Sequence, residues 1–125
     1  MNIEEVGRLI VHSAYLVHSS LGPGLLESVY QTCLRHELLR AGLEVESEVL
    51  LPVIYRELKI DAGYRIDLLV NNTVIIENKS VEKILPVHEA QLLTYMKLKE
   101  CRLGYLLNWN VPVMKEGIKR MVNNL

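Results

Sequence analysis

The sequence predicts an α/β (α+β) protein with a mixed central sheet flanked by helices. The expected order is α-α-β-β-β-α-β, with a further β element near the end. Apolar residues recur at helical spacing from Ile3 to Ala41, then give way to short β-branched and aromatic runs between Leu43 and Lys79. Helical spacing returns after Pro86, and a last apolar run from Cys101 to Asn108 completes the pattern. At 125 residues the chain has the size of one domain with one main core, so residues 1–125 are expected to fold as a single domain.

The first helix is expected from Ile3 to about Leu16, through Ile3, Val6, Ile10, Ala14 and Val17, with Asn2 and Glu5 forming a capping-box-like start. Ser19-Ser20-Leu21-Gly22-Pro23-Gly24 is expected to stop it, because two glycines and a proline remove helix propensity and a donor. A second helix should run from Leu25 to Ala41, with Glu27 in its first turn and Gly42 as a left-handed stop. Leu43 to Lys79 reads as three consecutive antiparallel strands, broken at Tyr55-Arg56-Glu57 and at Asn71-Asn72. Val87 to Glu100 is helical, with Pro86 near its start, where a missing N–H costs little. The strand from Cys101 to Asn108 then returns through a helical connection, which permits a parallel, right-handed crossover. Val111 to Val122 is ambiguous between a strand pair and a helix, and Gly117 with the Ile118, Arg120, Val122 alternation favours strand.

Composition narrows the function. Half the residues are apolar, and no Ser/Gly/Pro-rich tract, charge block or repeat marks a linker or a disordered tail. The start, Met1-Asn2-Ile3-Glu4-Glu5, is acidic and unlike a signal peptide, and no apolar run approaches membrane-spanning length; the expectation is a cytoplasmic protein without a membrane partner. Cys33 and Cys101 are too few and too far apart for a zinc knuckle or a disulfide framework, and read as ordinary buried thiols. A net charge of −1 lacks the basic excess that drives non-specific nucleic-acid binding. A metal-dependent site can still neutralise a phosphate with its ion, so nucleic acid stays among the candidate partners.

The residues that carry chemistry stand in the apolar strands. Asp67 interrupts Tyr64-Arg65-Ile66-Asp67-Leu68-Leu69-Val70, and Glu77 and Lys79 close Val74-Ile75-Ile76-Glu77-Asn78-Lys79. An uncompensated charge in such a strand would cost several kcal/mol, on the order of a buried, unpaired ion. Glu77 and Lys79 are two apart and share a strand face, so a carboxylate and an amine point into a common pocket. Two hard carboxylates on neighbouring strands suit Mg²⁺ or Mn²⁺, with Lys79 orienting or deprotonating a water or stabilising phosphate charge. The plainer alternative is a structural ion pair of Lys79 with Asp67 or Glu77.

Asp67, then nine intervening residues, then Glu77-Asn78-Lys79, resembles the D…(D/E)XK signature of the PD-(D/E)XK nuclease superfamily. Gly24-Leu25-Leu26-Glu27-Ser28-Val29-Tyr30 is similar to the motif of its GxxExxY family. His88-Glu89-Ala90-Gln91 and the Gln91-x-x-x-Tyr95 spacing resemble exonuclease-like branches, and the likeness covers almost the whole chain. It implies a restriction-endonuclease-like core and Mg²⁺- or Mn²⁺-dependent cleavage of nucleic acid, with DNA favoured. Asp67 and Glu77 would be metal ligands, Glu27 a helical carboxylate completing the shell directly or through water, and Lys79 the catalytic lysine. The proline that names the superfamily is Ile66 here. A non-catalytic nuclease-fold module and a homo-oligomeric accessory protein are the competing readings.

Gln91 and Tyr95 share a helix face, with His88 close to it, and are candidates for contacting phosphate or base; Tyr95 as a core aromatic and His88 as a helix-start residue are the alternatives. Trp109 reads either as a stacking platform or as a packing anchor. His12, His18 and His36 have no ligand-like spacing. Register decides whether the metal reading is geometrically open. A two-residue Asn71-Asn72 turn would send Asp67 and Glu77 to opposite faces, whereas a three-residue Asn71-Asn72-Thr73 connection pairs Val70 with Val74 and Asp67 with Glu77.

Overall fold

The Asn2 side chain accepts from the Glu5 N–H at 2.9 Å and donates to Glu5 Oε1 at 3.0 Å, so the first helix starts where its sequence cap requires. In the computed structural model, which describes residues 1–125, this helix, α1, spans Ile3–Leu21. It therefore runs through Ser19, Ser20 and Leu21, past the stop expected near Leu16; the chain leaves it only at Gly22, where φ is 68°. The second helix, α2, spans Glu27–Arg40 and gives way to Gly42 at φ 86°. No helix is long and apolar enough to cross a membrane.

The segment after α2 corrects the three-strand meander. It holds five strands: β1 (Val45–Leu50), β2 (Val53–Tyr55), β3 (Leu58–Ile60), β4 (Arg65–Val70) and β5 (Val74–Lys79). β2 and β3 form a separate hairpin around Arg56 and Glu57, both at positive φ, and β1 pairs antiparallel with β4 across this excursion. The reason is the content of residues 51–64: β2 and β3 are three residues each and largely exposed, too short and too open to join the core sheet. Helix α3 (Pro86–Lys99) then leads to β6 (Leu103–Asn108), which runs parallel to β5 as the helical crossover allows. A 3₁₀ turn at Met114–Gly117 precedes β7 (Ile118–Val122), antiparallel to β6. The main sheet has the order β1-β4-β5-β6-β7.

Val70 pairs with Val74 across a connection of three residues, with Asn71 and Asn72 left-handed at φ 50° and 55° and the Thr73 N–H donating to the Val70 carbonyl at 3.0 Å. This is the register that places Asp67 opposite Glu77.

Helices α1 and α2 cover one face of the sheet, over Leu68, Val70, Val74, Ile76, Leu103, Tyr105 and Leu107. Helix α3 covers the other through Leu92, Tyr95 and Met96, over Leu69, Ile75 and Leu106. Each fully buried Ile, Leu or Met here contributes about 1.5–3 kcal/mol. Helix α3 can lie this close because β6 carries Gly104 beneath it. A Cβ at Gly104 would sit 2.8 Å from Met96 Sδ and 3.2 Å from Leu92 Cδ1. Gly104→Ala is therefore expected to destabilise the fold by about 1–3 kcal/mol through overpacking, read as a lower urea midpoint at unchanged slope; an unaltered midpoint would mean that α3 is loosely seated.

Candidate active site

The backbone ladder between β4 and β5 stops one step short of the carboxylates. Its last pair is Leu68–Ile76. Beyond it, side chains replace main-chain partners: the Asp67 N–H donates to Glu77 Oε2 at 2.8 Å, and the Asn78 N–H donates to Asp67 Oδ2 at 2.8 Å. Each carboxylate is thus anchored by one oxygen, while Asp67 Oδ1 and Glu77 Oε1 accept no hydrogen bond from the protein and are not sealed from solvent.

On its other side β4 is disturbed at the same residue. The β1–β4 ladder pairs Ser47 with Leu68 and Val49 with Ile66 but skips Glu48 and Asp67. Glu48 has φ 53°, a left-handed conformation that costs a residue with a Cβ about 1–2 kcal/mol. The pleat changes phase there. Val45, Leu68 and Val70 pack under α1 and α2, whereas Val49 and Ile66, which alternation would put on the same side, pack with the α3 cluster. Asp67 stands at this slip, half-buried, and Glu77 is 5% exposed.

Burial raises the Glu77 pKa from 4.5 to about 8, with the Asp67 charge adding to it and the bond from the Asp67 N–H and the Lys79 charge opposing. Burial likewise raises Asp67 from 3.8 to about 6, opposed first by the Asn78 N–H and assisted by the charges of Glu48 and Glu27. A pair of hard-oxygen donors destabilised by desolvation and mutual repulsion, each with a free oxygen, fits a divalent cation that keeps most of its water shell. No group of three or more His, Cys, Asp or Glu side chains is arranged to hold an ion, so a further carboxylate would have to act through water.

Lys79 ends β5, half-buried, and its charge lowers the pKa of both carboxylates. It forms no ion pair with either. The two ion pairs of the molecule, Lys119–Glu89 and Arg120–Glu4, lie on the surface, so the structural-ion-pair alternative is not what the structure contains. Glu27, the first residue of α2, is exposed at the rim, where its Oε2 accepts from the Ser80 N–H at 3.2 Å and the Ser80 hydroxyl donates to the Leu25 carbonyl at 3.4 Å. Tyr30 mounts this end of α2. Its ring is fully buried and stacked on Trp109 with centroids 4.9 Å apart, and its hydroxyl donates to the Gly22 carbonyl and accepts from the Leu25 N–H. The Gly24-to-Tyr30 motif is therefore a mounting that sets the loop and puts Glu27 beside the end of β5.

Gln91 and Tyr95 are bonded to each other at 3.3 Å on α3 and line an apolar groove with Val53 and Tyr64. Tyr95 is near enough to Glu77 for that charge, after burial, to raise its pKa. His88 is a helix-start residue, its Nδ1 accepting from the Leu85 N–H at 2.9 Å. Trp109 is a packing anchor, fully buried, with Nε1 donating to Asn78 Oδ1 at 2.9 Å. Cys101 is buried, but Cys33 is only half-buried. Sequence reasoning missed Gln31, Glu48 and Asn78. Gln31 is one helical turn beyond Glu27, a usable signal; Glu48 sits among the alternating glutamates of an exposed edge strand, and nothing singles it out.

A family model of the PD-(D/E)XK nuclease superfamily matches residues 4–121. The chain belongs to that superfamily. No curated protein and no solved structure matches it significantly. The five-stranded mixed sheet with helices on both faces is the architecture of a PD-(D/E)XK protein, and membership points to nuclease chemistry and nucleic-acid binding. PD-(D/E)XK nucleases generally use divalent metals.

The two raised carboxyls have a consequence for stability. Between their ordinary values, 3.8 and 4.5, and their folded values, about 6 and about 8, the folded chain holds more protons than the unfolded one. Their contribution to stability is therefore fully present at low pH and is lost as pH rises towards 8. In cation-free buffer, Glu77→Gln is expected to flatten this fall and to match or exceed the wild-type urea midpoint at pH 8. A lower midpoint for the variant at that pH would contradict the assignment.

Proposed function

We propose that this protein is a Mg²⁺- or Mn²⁺-dependent nuclease that hydrolyses phosphodiester bonds, with DNA as the first substrate to test and RNA as the second. The observation that supports it most is the carboxylate pair at the parting of β4 and β5, each member anchored by one oxygen and free at the other. Asp67 Oδ1 and Glu77 Oε1 would hold the cation, and Glu27 would complete its shell through water from the first turn of α2. When bound, the cation would lower the pKa of a water and neutralise charge on the reacting phosphate.

The protein's own part is positioning. Lys79, held on β5 without an ion-pair partner, orients the attacking water or balances developing charge on the phosphate. Gln91 and Tyr95 present an amide and a hydroxyl from the α3 side, where a phosphate oxygen or a base edge can be bound. The Gly24-to-Tyr30 motif supports placing the chain in the GxxExxY branch, with residues 1–125 working as one catalytic domain.

The test is degradation of a panel of single- and double-stranded DNA and RNA with Mg²⁺ or Mn²⁺. Wild-type protein should cleave at least one member, and Glu77→Ala should not. Lys79→Met should lose about 100-fold or more in rate while still binding Mn²⁺ in calorimetry. An intact panel with the cation bound would instead indicate a nuclease-fold binding module, and full activity in Glu77→Ala would remove the proposed site.

A further inference from the structure

Asp67 lies in an interior strand of the sheet at a point where the ladders to both neighbours are interrupted: β4–β5 ends at Leu68–Ile76, and β1–β4 skips Glu48–Asp67. One side chain reaches all three strands there. Gln31 of α2 donates from Nε2 to Glu48 Oε1 at 2.8 Å and to the Asp67 carbonyl at 3.4 Å, and its Oε1 accepts from Asn78 Nδ2 at 3.4 Å. Asn78 is the residue whose main-chain N–H holds Asp67 Oδ2, and the other end of its side chain is fixed by Trp109.

A glutamine suits this place for a chemical reason. It offers a donor and an acceptor without charge, so it can bond the Glu48 carboxylate and receive the Asn78 amide together. An apolar side chain would do neither, and a lysine would pair with Glu48 but could not accept from Asn78. Glu48 itself is the only residue at positive φ inside a strand of the main sheet, the others lying in the hairpin turn, connections, helix ends and the C-terminus. Its bond to Gln31 is the one side-chain hydrogen bond it makes.

We propose that Gln31 is a positioning residue for the cation site: by holding Glu48, Asp67 and Asn78 together it maintains the slipped β1–β4–β5 arrangement in which Asp67 and Glu77 each keep one oxygen free. This rests on the reading of Asp67 and Glu77 as cation ligands. Gln31 bonds neither Asp67 Oδ1 nor Glu77 Oε1; it acts by fixing how Asp67 is presented.

The experiment is calorimetric titration of Mn²⁺ into the full chain, paired with urea unfolding, for wild type, Gln31→Met, and the double variant Gln31→Glu with Glu48→Gln. Gln31→Met keeps the side-chain length and removes donor and acceptor, and should weaken Mn²⁺ about 10-fold or more, as loss of a ligand-orienting partner does, with little change in the urea midpoint. The double variant exchanges donor and acceptor across the Gln31–Glu48 bond at constant net charge and still accepts from Asn78, but it has no donor for the Asp67 carbonyl, and should recover part of the lost affinity. Unchanged affinity in Gln31→Met overturns the inference and leaves the ligand reading standing. A loss that tracks the urea midpoint and is not recovered in the double variant also overturns it, as a general stability effect. If wild-type protein binds no Mn²⁺, the ligand reading fails and this inference falls with it.

Discussion

Two carboxylates share the poorly solvated end of an interior strand pair, and the local structure follows from how they are accommodated. In a regular ladder Asp67 and Glu77 would exchange main-chain hydrogen bonds or face one another as a non-bonded pair. Here each instead spends one carboxylate oxygen on a main-chain N–H of the opposing strand. That substitution opens the strands, ends the ladder and leaves the second oxygen of each group uncommitted. Repulsion and desolvation remain, which is why both groups hold their protons to higher pH than usual. A site destabilised in this way by its own charges is suited to a cation and ill suited to a purely structural role.

The rest of the molecule serves this edge. The sheet faces are closed by α1 and α2 on one side and α3 on the other, and the elements at the open end are tied to one another by polar contacts. Trp109, just past β6, stacks on Tyr30 of α2 and bonds Asn78 of β5, and its own N–H donates to the Lys79 carbonyl at 2.9 Å. Asn108 accepts from the Val81 N–H and donates to the Val81 carbonyl, fixing the chain as it leaves β5. The loop before α2 hangs on the Tyr30 hydroxyl. The helix that carries Glu27 and Gln31 is thereby located relative to Asp67 and Glu77 by buried groups.

Much of this was legible in the sequence because the signals were local. Asn2 and Glu5 mark the first helix, Pro86 and the apolar spacing after it mark α3, and the (D/E)XK spacing marks the end of β5. The register was legible only as a condition: Asn71-Asn72 looks like a two-residue turn, and the site requires the third residue, Thr73. What was not legible depends on contacts between distant segments. The β2–β3 hairpin reads as continuous strand because Val53, Ile54, Tyr55, Leu58 and Ile60 have strand propensity, while their exposure is a tertiary fact. The phase slip at Glu48 has no composition signal, since glutamate does not favour the left-handed region. The roles of Gln31 and Asn78 are not legible in the sequence, because what an uncharged amide does is set by partners from distant segments.

If Asp67 and Glu77 hold a divalent cation, the ion must sit at their free oxygens in the folded protein. Paramagnetic broadening of backbone amide resonances by substoichiometric Mn²⁺ tests it most directly, because the effect reports location without requiring turnover or a substrate. The amides of Asp67, Glu77, Asn78 and Lys79 should broaden first, while those around the surface carboxylates Glu4 and Glu116 persist. Broadening centred on the surface acids, with the Asp67 and Asn78 amides unaffected, would contradict it.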